Sequence, residues 1–295
     1  MADKQIYLHA GAHRTGTSSF QMCLAVNRAA LEAAGFDLAY PERDGIPEGQ
    51  LGLRLPSLRH RRDKDAFFAA KVASVLQDHS PDPNRRLILS EENIPGPMIH
   101  FEQARFFPAA AARAEALRSG LGPVAHLVYV VRSYGELYVS GHRKRAEDRP
   151  VNPFATEIPV RMRMDRGWPE LIEVMRDVIA PARLTVVEYG ARGRSVDLLR
   201  LMVPGLEQVA LREPARTLNQ SATDAALLAL QARYQAGDVL SRSEWQAVVQ
   251  EHASDTANYG FAQFSAAQSA ELQRRYDADL DRLDALDSVT LIRSP

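Results

Sequence analysis

The chain is short of the features that would assign it to an outward-facing class. Its one cysteine, Cys23, excludes an internal disulfide and a cysteine-built metal site. Its 36 basic and 37 acidic residues leave a net charge of −1, so no global field draws it to DNA, RNA or a membrane surface. No run approaches the roughly 18 apolar residues that a spanning helix needs. The opening MADKQIYLHAGAHRTG holds no apolar stretch of signal-peptide length. The expectation is a cytoplasmic protein with no membrane span and no nucleic-acid partner. Any anion it binds must be held by a local site.

What is present is an ordinary globular composition. The 295 residues are 45% hydrophobic and 25% charged, enough to build and cover a sizeable core. Apolar runs alternate with helical patterns from the start. Ile6–Ala10 reads as a strand, and from Thr17 the residues Phe20, Leu24, Leu31 and Ala34 recur at helical spacing. Phe36–Tyr40, Arg86–Ser90, His126–Val131 and Leu184–Glu188 read as further strands. Asp65–Gln77, Glu102–Ser119 and Tyr134–Glu147 read as helices, and Ser221–Leu286 as nearly all helix, broken near Gly237 and Asn258–Gly260. Apolar strands separated by helices predict an α/β fold with a parallel central sheet covered on both faces and a helical C-terminal portion. No repeat, linker or shift of composition divides the chain, so residues 1–295 are read as one domain. Ligands of such sheets sit beyond the C-terminal ends of the strands, so the residues after Ala10, Leu89 and Val131 are the first places to look for chemistry.

The first of these exits is Gly11-Ala12-His13-Arg14-Thr15-Gly16-Thr17-Ser18-Ser19. Two glycines permit a tight turn in which successive N–H groups converge on an anion. The helix that follows adds its partial positive charge, the hydroxyls add donors, and Arg14 adds a full charge. A glycine turn with serine and threonine capping a helix is the plainer reading. Gly11 and Gly16 have the spacing of GxxxxGK[ST], but Thr17 stands where that motif requires lysine.

The run from His9 to Gln21 resembles the 5′-phosphosulfate-binding loop of sulfotransferases. It is closest to the bacterial carbohydrate-type branch, whose members usually read H-x-G-x-x-K-T-G-T-T-S-x-Q. Arg14 departs from the family lysine, replacing a point donor by a planar fork. The resemblance implies a three-layer fold like that of P-loop NTPases and 3′-phosphoadenosine 5′-phosphosulfate as donor. It implies donor contacts from Gly11, His13, Arg14, Thr15, Gly16, Thr17 and Ser18. It further implies a 3′-phosphate anchor made of an arginine at a strand end and a serine eight residues on, which Arg132 and Ser140 match. The segment Thr217–Thr223 resembles an N-x-S element of the same branch through Asn219 and Ser221, either of which also suits a helix N-cap.

An acceptor hydroxyl must lose a proton as sulfur is attacked. Ser90-Glu91-Glu92-Asn93 follows a strand directly and is similar to the S-S-E-N run of the branch, which aligns Glu92 with the family acid. Glu92 is the first candidate base and Glu91 the second, with His9, His13 and His142 as rivals. No His, Cys and carboxylate set has metal-ligand spacing, so no metal is expected. Two basic clusters, Arg59, Arg61, Arg62 and Lys64, and Arg143, Lys144 and Arg145, suit either solvated faces or an acidic acceptor. The expected activity is sulfuryl transfer to a hydroxyl of a glycan or small metabolite. An ATP-dependent phosphoryl-transfer enzyme and a non-catalytic nucleotide-binding relative are the alternatives. Neither the acceptor nor the oligomeric state is written in the sequence.

Overall fold

The structure is a computed structural model that describes residues 4–42, 45–60, 64–215 and 222–294. Arg61, Arg62, Asn219 and Ser221 lie outside these. Six strands, β1 (Ile6–His9), β2 (Phe36–Ala39), β3 (Arg86–Ser90), β4 (His126–Val131), β5 (Leu184–Glu188) and β6 (Val289–Ile292), form one parallel sheet in the order β2-β3-β1-β4-β5-β6. The chain leaves β1 towards one edge, returns through β3, and continues from β4 towards the other. The exits of β3, β1 and β4 are therefore side by side, with His9 registered against both Ser90 and Val128.

The helices are α1 (Thr17–Val26), α2 (Arg28–Ala33), α3 (Asp65–His79), α4 (Ala110–Leu121), α5 (Tyr134–Ala146), α6 (Phe154–Met162), α7 (Trp168–Val174), α8 (Ser195–Met202), α9 (Asp224–Gln235), α10 (Arg242–Glu251) and α11 (Ala266–Asp284), and both faces of the sheet are covered. Side chains alternate across a strand, so each strand feeds two cores. Leu8, Leu89, Tyr129 and Val131 pack with α3, α4, α7 and α11. Tyr7, Ile88, Val128 and Val130 pack on the other side with α1 and α8. The result is the expected three-layer α/β arrangement. At Gly120, α4 lies so close to α3 that a Cβ would fall 2.6 Å from Val72 and 2.7 Å from the Ala69 carbonyl oxygen. No helix among the described residues is long and apolar enough to cross a membrane.

Three local expectations are corrected. The helix expected over Glu102–Ser119 begins only at Ala110. Before it, Met98–Gln103 is a 3₁₀ turn, and Ala104 and Phe107 have φ of 53° and 43°. Burying Phe101, Phe106 and Phe107 together, against Trp168 and Tyr138, outweighs the helical propensity of the alanine-rich sequence. The helix after β1 is interrupted at Asn27, whose side-chain amide donates to the carbonyls of Cys23 and Arg212, both at 2.8 Å. The edge strand β6 was not expected, because four half-exposed residues carry no distinct period. The C-terminal helices start where the sequence signals them: Ser265 and Gln268 close a capping box on α11, and Ser241 and Glu244 close one on α10.

Candidate functional site

The loop between β1 and α1 turns on two left-handed residues, Arg14 (φ 69°) and Gly16 (φ 84°). A Cβ on Gly16 would come 2.9 Å from the Arg192 guanidinium. Inside the turn, Thr15 donates to the Ala12 carbonyl at 2.6 Å, and Thr17 lies 3.5 Å from the same oxygen. Gly16, the N-cap residue of α1, has no side chain to cap the helix, and no acidic residue sits in the first turn. The first N–H groups of a helix have no intrahelical acceptor.

Three arginines from three strand exits close on this loop. Arg14 Nε donates to Ser140 Oγ on α5 at 2.7 Å. Arg132, just past β4, donates from Nη1 to the Arg14 carbonyl at 2.9 Å and from Nε to Glu136. Arg192, past β5, donates from Nη2 to the Gly16 carbonyl at 3.3 Å and to Ser195 Oγ at 2.9 Å. Its Nε is buried and meets no acceptor among the described residues. Burial holds the Arg192 pKa below its ordinary value. Arg132 is itself located from behind, since Trp168 Nε1 donates to its carbonyl at 2.8 Å. The Trp168 amide donates to Tyr134 Oη, and that hydroxyl donates to Asp279 of α11. The two anchors expected for separate phosphates, the loop and the Arg132–Ser140 pair, thus meet directly. Arg192 was not singled out in the sequence; its signal was a fourth strand exit carrying an arginine, Tyr189-Gly190-Ala191-Arg192.

Beneath the loop, His9 is fully buried, with Nδ1 2.9 Å from Ser90 Oγ and Nε2 meeting no partner among the described residues. Desolvation, reinforced by the nearby Arg192 charge, lowers its pKa to about 3, so the ring is neutral. Its ring packs at a tilt against Phe20, and it shares Ser90 with Gln21. This makes His9 a floor for the loop, not a base.

The two carboxylates after β3 diverge in role. Glu91, 3% exposed, accepts the Asn93 amide at 2.8 Å and turns the chain locally. Glu92, also buried, lies 3.3 Å from His13 Nδ1. A cavity of about 320 Å³ opens beside the loop, with His13 and Arg14 on one wall. Neither Glu91 nor Glu92 lines it. Glu92, expected to meet the acceptor itself, reaches this cavity through His13. His142 also lines it, paired with Glu157 at 3.4 Å. Of the Arg143–Arg145 cluster, Lys144 and Arg145 line the cavity, whereas Arg143 pairs with Asp224 and donates to the Ala222 carbonyl just before α9. Arg59 and Lys64 are exposed. Among the described residues, no group of three or more His, Cys, Asp or Glu side chains gathers as a metal site.

Neither a scan of family models nor a search of curated proteins returned a match to this chain.

Proposed function

We propose that the chain is a sulfotransferase, moving a sulfuryl group from 3′-phosphoadenosine 5′-phosphosulfate to an acceptor hydroxyl on a glycan or small metabolite. The observation that carries the reading is the convergence of Arg14, Arg132 and Arg192 on an uncapped glycine loop, with Ser140 bonded to Arg14. A bisphosphorylated nucleotide needs two neighbouring anion sites. The α1 amides with Arg14 and Arg192 suit the 5′-phosphosulfate, and Arg132 with Ser140 suits the 3′-phosphate. The first turn, Thr17-Ser18-Ser19, offers hydroxyls but no lysine for a β/γ-phosphate, which favours this donor over ATP.

In the reaction that follows from this reading, the His13–Glu92 pair supplies the base. With Nδ1–H donated to Glu92, the His13 Nε2 lone pair takes the acceptor hydroxyl proton. The acceptor oxygen forms its bond to sulfur in line as the bond from sulfur to the 5′-phosphate oxygen breaks. The charge left on that phosphate is met by Arg14 and the loop amides, with Thr15, Thr17 and Ser18 ordering the turn. No step calls for a metal.

Thermal unfolding with 3′,5′-adenosine bisphosphate, with ATP and magnesium, and with AMP tests the donor. A ligand at 100 times its dissociation constant stabilises by about 2.7 kcal/mol, a visible rise in Tm. Selective stabilisation by the bisphosphate is the expected result. A rise with ATP alone moves the assignment to phosphoryl transfer. No rise with any of the three removes the nucleotide site. Bisphosphate binding without donor turnover marks a non-catalytic relative.

A further inference from the structure

The cavity beside the loop is lined by five cations, Arg14, Lys144, Arg145, Arg149 and Arg161, against two carboxylates, Asp148 and Glu157. Three of the cations already have partners: Lys144 pairs with Glu147, Arg145 with Glu102, and Arg149 with Asp148. Arg161, on α6, is different. It is 5% exposed, its Nη2 is held by Glu157 at 2.5 Å, and its Nε and Nη1 are buried with no acceptor among the described residues. Tyr138, 1% exposed on α5, lines the same cavity with a hydroxyl that likewise meets no partner. Leaving such donors buried and unpaired is costly, and most of all for a charged group. Glu157 is shared between Arg161 and His142 and so fixes the guanidinium in place. Burial alone would raise the Glu157 carboxyl, but the His142 hydrogen bond and the Arg161 charge outweigh it and hold the pKa below its usual value. The wall formed by Pro97, Met98, Ile99 and Phe101 is apolar.

The geometry points to an acceptor that already carries an anionic group, a carboxylate or a sulfate, bound by Arg161 and Tyr138, while its hydroxyl meets His13 in the same cavity. This rests on the sulfotransferase reading for the identity of the cavity as the acceptor side. Charge-assisted hydrogen bonds from a desolvated guanidinium are the strong kind. The volume, near the lower end of ligand sites, suits one or two rings. The apolar wall would carry a ring face, and the acidic group would complete the two donors that the protein leaves open.

Calorimetric titration with matched probes tests this without any donor. One pair is 4-nitrophenyl β-D-glucuronide and 4-nitrophenyl β-D-glucoside, which differ by a carboxylate. The other is N-acetylglucosamine 6-sulfate and N-acetylglucosamine, which differ by a sulfate. At least one acidic probe should bind about tenfold or more tightly than its neutral partner, and the pair that does so identifies the anion. The preference should vanish in Arg161→Gln. If that variant does not fold, Tyr138→Phe takes its place and should reduce the preference. Equal affinity within both pairs, no binding of any probe at millimolar concentration, or a preference unchanged in a folded Arg161→Gln would each overturn the proposal. Acid preference without stabilisation by 3′,5′-adenosine bisphosphate would keep the anion cavity and discard the sulfotransferase reading. The reverse pair of results would discard the cavity's role and keep the reaction.

Discussion

Arg14 and Ser140 stand 126 positions apart in the chain and are joined by a hydrogen bond of 2.7 Å from Nε to Oγ. The loop after β1 and the helix after β4, proposed to hold the 5′-phosphosulfate and the 3′-phosphate respectively, are therefore coupled through a shared contact. Arg14→Ala should weaken 3′,5′-adenosine bisphosphate by about a hundredfold and Ser140→Ala by about tenfold, as charge-assisted and neutral donors differ. The double variant should lose less than the product, because each residue orients the other. Strict additivity in a calorimetric double-mutant cycle would show that the two anchors work independently.

His13 and Glu92 form the second pair. His13→Ala should lower donor-dependent release of 3′,5′-adenosine bisphosphate in the presence of acceptor by roughly 10²- to 10⁴-fold. Glu92→Gln should cost less, since it removes the charge facing Nδ1 but leaves an acceptor oxygen there to orient the ring. Full activity in Glu92→Gln, measured as the same donor-dependent release, would remove its positioning role.

His9 makes stability depend on pH. Its folded pKa of about 3 lies below the unfolded value of about 6.5. Between these values the unfolded chain binds a proton that the folded chain does not. The contribution is thus complete above about pH 6.5 and declines as pH falls, by about 1.4 kcal/mol per unit for one proton. Urea unfolding of the wild type and of His9→Gln between pH 7 and 5 should show a shallower slope in the variant. Parallel slopes would mean that another group carries the acid sensitivity.

Cys23 should be silent in the native state. It is fully buried on α1, and burial, aided by the Glu213 charge, pushes its thiol up to about 12. The thiolate is the reactive form. Native protein should resist iodoacetamide at pH 8, and the same thiol should label fully in urea. Rapid native labelling would show that α1 opens locally.

Gly120→Ala should destabilise by about 2 kcal/mol, an overpacking penalty, because the new methyl would meet the Val72 side chain and the Ala69 backbone. An unchanged Tm would show that α3 and α4 can separate at no cost.

The sequence by itself determined the layers. Continuous apolar runs, such as Leu127–Val131, have no soluble face and must lie inside a covered parallel sheet, so β1 to β5 and the helical C-terminal portion were legible from period and composition. It also located the loop, because two glycines and a run of hydroxyl residues directly after an apolar strand are a local signal. What the tertiary structure decided is which distant groups meet there. The strand order puts β3, β1, β4 and β5 side by side, and no local pattern encodes that order. It brings in Arg192, hands Glu92 to His13, turns Arg143 out towards Asp224, and buries Arg161 with two nitrogens unpaired. Those outcomes depend on side chains approaching from separate elements, and only packing fixes such distances.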